Sequence, residues 1–513
     1  GNADKPAALE KVQGTVVDEK GQTLPGVSVK VKNTNTGVVT DANGKYTLND
    51  VDGGGTLVFS FIGYVTQEVP ITNRTVVDVK LVESSKALSE VVVVGYGTQK
   101  RVDLTGAVGS VSSKQLQERP QTNLEQELAG KIAGVSVSTN SGAPGGETKV
   151  RIRGYSSINT STDPLYVVDG VVWTEGGNSI NPADVESIDV LKDASSTAIY
   201  GTRGANGVIL ITTKRGKAGK KGGTVSYDAY GSLSVMAKEL PVLNAKQFLE
   251  VEDISYNNIK KYDPTGWAAG NYVQDDPKTI RTALIGKLFD KNLNPLYDVD
   301  WQKATTRHAY SQNHNISITD GTENINYGLF LNYADDEGII LNSFLKRYNA
   351  RLTFDDQIKP WLKVGATLNY DRQDGRSADY GTGGNNIPRM LIEMPSIIPI
   401  KYPDGTYGKR TDYPNMEGGD NPVAQANEVQ SLTKNRLFSG NGYANIKILP
   451  ELEFRTTLGV TTSANFTPNY GSSLVGGATI DPGNSYANIT ERNNTFWQWE
   501  NHLTYNKIFN KIH

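Results

Sequence analysis

Residues 361–371 read WLKVGATLNYD. After the tryptophan the even positions are Leu362, Val364, Ala366, Leu368 and Tyr370. The odd positions are Lys363, Gly365, Thr367, Asn369 and Asp371. Side chains of a strand alternate between its two faces, so this is a strand with one apolar and one wet face. The pattern recurs. Residues 324–333 place Ile325, Tyr327, Leu329, Leu331 and Tyr333 together. Residues 348–355 set Tyr348, Ala350, Leu352 and Phe354 against Asn349, Arg351, Thr353 and Asp355. Residues 452–461 set Leu452, Phe454, Leu458 and Val460 against Glu453, Arg455, Thr457 and Thr461. Weaker versions lie near 225–235, 313–320, 437–448 and 496–506, which gives about eight candidate strands.

A water-soluble sandwich shows the same period. Two details favour a membrane β-barrel. The polar face carries charges at mid-strand, Lys363, Arg351, Arg455 and Glu453, which a water-filled or plugged lumen tolerates. The connections also differ in length. Asp335–Ser343, Asp355–Lys359 and Leu449–Pro450 are expected to be short, and 236–310, 372–433 and 464–495 long.

Upstream of the alternating region the character changes. Residues 12–82 are expected to form a small all-β sandwich of about seven short strands, after a flexible N-terminus at 1–11. Val12–Val17, Val27–Val31, Leu57–Tyr64 and Val76–Leu81 are its strand signals. Asp41-Ala42-Asn43-Gly44 predicts a tight turn; the same letters begin a calcium loop, but the distal glutamate is missing. Residues 105–217 mix short helices and strands. Asn123–Gly130 and Ala194–Gly201 are helix signals, and Val150–Gly154, Pro164–Gly170 and Gly207–Thr213 are strand signals. Between these domains, at 83–104, sits SEVVVVGYGTQKR. Its four valines predict a lone strand with no hairpin attached. Such a strand is either an ordinary buried strand or one that waits for another protein's sheet.

Composition excludes much. The 513 residues carry a net charge of −3 and no cysteine. Disulfides and thiolate metal sites are excluded, and a near-neutral balance gives no electrostatic case for nucleic acid. Four histidines make a histidine metal site improbable. No run of 18 apolar residues predicts a membrane helix, which leaves a β-barrel open. Ser343-Phe344-Leu345-Lys346 matches SxxK but lacks its partner motifs, so an enzyme is not expected.

Three longer motifs carry a resemblance: SEVVVVGYGTQKRVDLTGAVGSV (89–111), VRIRGYSSINTSTDPLYVVDGV (150–171) and NPADVESIDVLKDASSTAIYGTRGANGVILITTKRGK (181–217). With the alternating strands they resemble the N-terminal part of a SusC/RagA-type TonB-dependent outer-membrane transporter. Residues 12–82 resemble the carboxypeptidase-regulatory-like domain that precedes the plug there. The resemblance implies a mostly β chain: a β-sandwich domain, a linker with the TonB box at 83–104, a mixed α/β plug domain at 105–217, and part of an antiparallel transmembrane β-barrel at 218–513. Such large plugged barrels have about 22 strands, so the chain is expected to be the front part of a longer protein.

The resemblance further implies import of a bulky oligosaccharide or oligopeptide, with no cofactor and no metal. Its implied partners are TonB, a SusD-type surface lipoprotein lid and outer-membrane lipid, with a dimer of transporter–lipoprotein pairs as a further expectation. The N-terminal domain would be periplasmic. The TonB box falls on Glu90, Val91, Val92, Val93, Val94 and Gly95. Candidate substrate residues are Tyr155 and Asn159 in the plug and Tyr380, Asn385 and Asn386 in the loops; the loop aromatics Trp267, Tyr272, Tyr402, Tyr407 and Tyr413 are more ordinarily loop packing. Plug charges at Arg151, Arg153, Asp169, Glu186, Asp189, Lys192, Asp193 and Arg203 are expected to meet wall charges. The competing reading is a surface receptor or adhesin with a barrel anchor.

Overall fold

The computed structural model describes residues 9–18, 21–32, 34, 36–52, 54–61, 64–72, 74–82, 91–94, 97–100, 108–118, 123–154, 161–216, 222–378, 386–416, 419–475 and 485–507. The chain divides into two units, residues 1–105 and 106–513.

In the first unit seven strands form two facing sheets. They are β1 (Leu9–Val17), β2 (Ser28–Val31), β3 (Gly37–Val39), β4 (Lys45–Asp52), β5 (Thr56–Ser60), β6 (Gln67–Pro70) and β7 (Val79–Lys80). One sheet runs β4-β1-β7, the other β3-β2-β5-β6. Val12, Val16, Val29, Leu48, Leu57 and Phe59 fill the space between them. The expected turn is present: Asp41 Oδ1 accepts from the amides of Asn43 (2.9 Å) and Lys45 (2.8 Å), and Gly44 sits at φ +70°. The Asp41 carboxylate is thus engaged by its own backbone.

The valine run departs from expectation. β8 (Val91–Val94) is not alone but pairs antiparallel with β9 (Gly97–Lys100), Val91 opposite Lys100 and Val94 opposite Gly97. Two residues, Gly95 and Tyr96, separate the strands. A Gly-X pair in that place is a hairpin signal that the sequence reading passed over.

The second unit begins with a mixed domain. Its strands are β10 (Val108–Ser112), β11 (Val135–Thr139), β12 (Thr148–Ile152), β13 (Leu165–Val168), β14 (Val171–Trp173), β15 (Val185–Leu191) and β16 (Val208–Thr213). A five-stranded sheet runs β10-β15-β16-β13-β14, and β11–β12 form a separate hairpin. β16 is central and buried on both faces, which is why Val208-Ile209-Leu210-Ile211 is a continuous apolar run. Asp169 and Gly170 both have positive φ (50° and 86°), the backbone that a two-residue β13–β14 hairpin requires.

Eight strands then follow in simple succession: β17 (Thr224–Ser234), β18 (Ala309–Gly321), β19 (Ile325–Glu337), β20 (Phe344–Lys359), β21 (Leu362–Ser377), β22 (Val429–Leu449), β23 (Leu452–Gly471) and β24 (Tyr486–Tyr505). All pair antiparallel with their sequence neighbours. Their polarity is inside-out. Leu352, Phe354, Leu368, Tyr370, Trp497 and Trp499 are exposed, whereas Arg347, Asn349, Arg351, Asp355 and Asp371 are buried. The sheet is open at β17 and β24 among the described residues, so the barrel is incomplete in this chain.

Two expectations about the connections are corrected. Residues 355–359 are not a turn; they finish β20, and the turn is Pro360-Trp361. The short connection 338–343 lies between β19 and β20, on the same side of the sheet as the long excursions rather than with the tight turns. The strands also run further than their apolar period. β22 starts at Val429 rather than near 437, because beyond the lipid band both faces are polar and the period vanishes.

The excursions at 235–308 and 378–428 are not open loops. They fold together around Ala245, Leu249, Phe289, Trp301, Ile397 and Tyr413. The helix Ala245–Tyr262 is set by a capping box from Asn244 to Gln247. Arg281 is 8% exposed and bridges the helix, donating to Glu252 Oε2 (2.6 Å) and Asp253 Oδ2 (3.0 Å). Tyr413, from the other excursion, donates to Glu252 Oε1 (2.7 Å). Arg281→Ala leaves Glu252 with the Tyr413 hydroxyl but without its cation and is expected to weaken this cap by about 3 kcal/mol. Hydrogen exchange should then quicken in Ala245–Tyr262 and leave β20–β22 unchanged; unaltered exchange in that helix would show that the ion pair is dispensable.

Candidate functional site

The mixed domain is held against the inner face of the eight-stranded sheet by two arginines of opposite origin. Arg351, on β20, is 3% exposed. Its Nη1 donates to the Lys214 carbonyl (3.1 Å) and its Nη2 to the Asp184 carbonyl (3.2 Å). Its Nε lies 3.4 Å from Asp184 Oδ2. Arg215 reaches the other way, from just after β16 to the wall. Its Nη1 meets both oxygens of Asp355 (2.9 and 3.1 Å), and its Nη2 meets Thr367 Oγ1 (3.2 Å). Tyr443 donates to the same Asp355 (2.5 Å). Asp169 lies 3.6 Å from Arg215 and accepts from the Thr213 amide and hydroxyl at 3.0 and 2.6 Å. Burial pushes the Asp184 carboxyl upward, while Arg351 and Lys214 pull it back toward ionisation.

Plug and wall charges do pair, Asp184 with Arg351 and Arg215 with Asp355, but through plug residues other than those singled out from the sequence. Of the plug charges singled out from the sequence, Arg153 pairs with Asp193 inside the plug (2.5 Å), Asp189 accepts from Ser110, and Lys192 donates to the Ala133 carbonyl (2.8 Å). Asp169 acts through Arg215. The residues that touch the wall, Asp184 and Arg215, sit where strands begin and end; there the chain leaves the plug sheet and its side chains point outward. Lesser contacts complete the seat. Arg347 donates to the Asn178 carbonyl (2.6 Å), the Val172 amide to Gln498 (3.1 Å), and Ser463 to Glu175 (3.0 Å). Leu437 is a buried apolar residue of the wall that packs into the plug core. A Cβ on Gly459 would lie 2.7 Å from Val171, so the wall is thinned there to admit β14.

On the long-loop side of the plug lies a cavity of about 1260 Å³. Its plug wall is the short helix Leu124–Glu127 with the β11–β12 tip, Thr139–Glu147. Its barrel wall is the upper ends of β17 to β22, among them Tyr230, Asp336, Phe344, Arg347 and Arg376. The tip is small because it must be. Gly338 of the wall has Pro144 2.9 Å from its Cβ direction, and Gly145 has Leu345 at 3.0 Å. Beneath the cavity Glu125 is buried, accepting from Tyr166 (2.8 Å) and the Gly177 amide (2.9 Å). Burial pushes its carboxyl upward, and those two donors oppose the shift.

Among the substrate candidates, Tyr155, Asn159, Tyr380 and Asn385 lie outside the described residues, as do Glu90 and Gly95 of the TonB box. Val91–Val94 form β8. Asn386 is a helix N-cap, accepting from the Arg389 amide (2.9 Å), and is not among the cavity's lining residues. Several loop aromatics serve packing: Tyr413 holds Glu252, Tyr402 donates to Asp412 (2.9 Å), and Tyr407 to Glu428 (3.1 Å). Sequence reading missed the β11–β12 tip, for which Gly142, Pro144, Gly145 and Gly146 were the available turn signal. Ser343 and Lys346 do not form a catalytic pair. Ser343 donates to the Ile340 carbonyl (2.7 Å), and Lys346 pairs with Asp335 (3.0 Å).

Comparison with known proteins agrees with this architecture. The TonB-dependent receptor plug domain matches residues 100–208, and a CarboxypepD_reg-like domain matches 12–94. TonB-dependent receptor P39 of Formosa agariphila is 36% identical over 512 residues, covering 99% of this chain and 45% of that protein. TonB-dependent receptor SusC of Bacteroides thetaiotaomicron is 34% identical over 482 residues, covering 87% and 44%. The RagAB peptide importer in its closed-closed state superposes with a TM-score of 0.63 at 27% identity, over 78% of this chain and 45% of that one. Its open-open state gives 0.61 at 30% identity, over 74% and 43%. The chain thus spans under half the length of these relatives. With its plug domain, its inside-out strands and these relatives, it belongs to the SusC/RagA-type TonB-dependent outer-membrane transporters.

Proposed function

We propose that the protein imports a bulky nutrient, an oligopeptide or an oligosaccharide, across the outer membrane under TonB control. The observation that carries the reading is the seat of the plug. It rests mostly on ion pairs and polar contacts, with Leu437 and Val171 as apolar exceptions, below a large cavity that faces the long-loop side. A polar seat can be left and re-formed in water, whereas an apolar one would expose its core. Buried charge pairs also add little net stability while fixing one geometry, which suits a part that must be both placed and displaced.

The pull would enter at β8. A valine-rich strand adds readily to the edge of another sheet, and its backbone supplies the bonds. The pairing of β8 with β9 fits this role, because an isolated two-stranded hairpin is marginal in water and opens at little cost. In this reading residues 83–104 are the linker that holds the TonB box, 12–82 form a periplasmic domain, and a SusD-type surface lipoprotein closes the cavity from above, in a dimer of such pairs. The receptor or adhesin alternative leaves the hairpin and the removable seat without a use.

Deleting 89–96 is expected to abolish uptake of a labelled oligopeptide or oligosaccharide by whole cells and to leave its binding to the purified protein intact. Uptake that survives the deletion would refute the TonB-box assignment. Arg351→Met strands Asp184 without its ion partner and should loosen the seat by about 3 kcal/mol. The expected readout is a lower urea concentration for the onset of ion conductance through the reconstituted protein. An onset equal to wild type would mean that the arginine does not hold the plug.

A further inference from the structure

The two-stranded sheet of the plug has a free edge. Among the described residues β11 pairs only with β12. In an antiparallel pair, residues that exchange bonds with the partner alternate with residues whose amides and carbonyls point away from it. The phase is fixed at both ends of this pair. The Arg153 amide donates to the Gly134 carbonyl (2.9 Å), and the Asn140 amide to the Glu147 carbonyl (3.3 Å). Ser136 and Ser138 therefore bond to β12. Val137 and Thr139 direct their amides and carbonyls to the open side, where no group of the described residues meets them.

That open side is the cavity. Val137 and Thr139 line it, whereas Ser136 and Ser138 do not. Val137 packs its side chain against the plug core, so its backbone edge is what it offers the cavity. Two donors and two acceptors thus stand in a row, repeating about every 6.7 Å as alternate strand residues do. Such an edge is a template for another strand. The rest of the lining suits the same occupant. Much of it is amide and hydroxyl: Gln126, Asn140, Ser141, Gln373, Thr433 and Asn435. Among the described residues its only aromatics are Tyr230 and Phe344, a sparse supply of the flat apolar faces on which sugar rings stack.

We propose that β11 receives the substrate as an added third strand, which makes that substrate an extended oligopeptide; this rests on the import reading above. Backbone bonds to Val137 and Thr139 supply affinity without reading the peptide's side chains. A sugar chain has no amide and carbonyl repeating at strand spacing. The site lies on the plug, so a bound peptide is bonded to the part that import displaces.

The test is binding to the purified full-length protein. The probes are a random hexapeptide library, the same library with every backbone amide N-methylated, and a mixture of maltohexaose and cellohexaose. The plain library is expected to bind. N-methylation should weaken binding about tenfold or more, because edge carbonyls lose their donors. Thr139→Pro should do the same, since it removes the amide aimed at the cavity and leaves the β12 ladder whole; Thr139 is exposed, so no core is disturbed. Thr139→Ala keeps that amide and should bind as wild type does. The proposal is overturned by equal binding of the methylated library, by wild-type binding in Thr139→Pro, by an equal loss in Thr139→Ala, or by hexasaccharides binding in place of peptides. The methylation comparison uses wild-type protein and depends on no variant's folding. Uptake by whole cells is scored separately. Peptide binding of the expected pattern without any uptake would end the import reading and keep the strand site. Uptake with Thr139→Pro binding unaltered would end the strand site alone.

Discussion

In hydrocarbon no backbone amide or carbonyl can be left without a partner. The strands β17 to β24 meet that demand by pairing each with the next. The same sheet must then present apolar side chains to lipid, so its polar side chains can go only inward. This inversion organises the rest of the molecule. It places Arg347, Arg351, Asp355 and Asp371 where a soluble domain would have its core, and charges so placed need partners. The plug supplies several through Asp184, Arg215 and the Asn178 carbonyl.

The consequence is a plug with two kinds of surface. Its own core is conventional, built on Val111, Leu124, Ile188, Ile209 and their neighbours. Its outer surface is mostly polar, apart from the contacts at Leu437 and Val171, and is shaped to a wall. Gly459 admits Val171, and Gly338 admits the Pro144 tip. In the proposed mechanism the plug stays folded while its seat is exchanged for water. The cavity lies on the side where the excursions 235–308 and 378–428 build a cap with its own apolar core, so a ligand held there would meet the plug before it meets the seat.

Much of this was legible in the sequence where burial imposes a period. Leu352, Phe354, Leu368 and Tyr370 declare a strand and a face, and the charges opposite them declare a wet interior. The reading failed where no period survives. The upper part of β22, Val429–Arg436, is polar on both faces. The helix Ala245–Tyr262 lies in a stretch where period 2 is absent and only the capping box of Asn244 and Gln247 marks a helix. The valine run predicts a lone strand, because Gly95-Tyr96 in the sequence signals an ending as much as a turn, whereas the structure pairs Val91–Val94 with Gly97–Lys100. The partners in the seat were missed for a different reason. Which charge of a plug meets which charge of a wall depends on where strands stop, and Asp184 and Arg215 carry no local mark of it.

Import by the proposed route requires the plug to leave its seat during transport. A cysteine pair placed at Val171 and Gly459, which approach each other across the seat, can be joined by oxidation, and these 513 residues add no competing thiol. The measurement is uptake by cells bearing this doubly substituted transporter, oxidised and then reduced. Uptake should stop when the disulfide forms and return on reduction, with cavity binding unchanged throughout. Undiminished uptake with the disulfide fully formed would contradict this route.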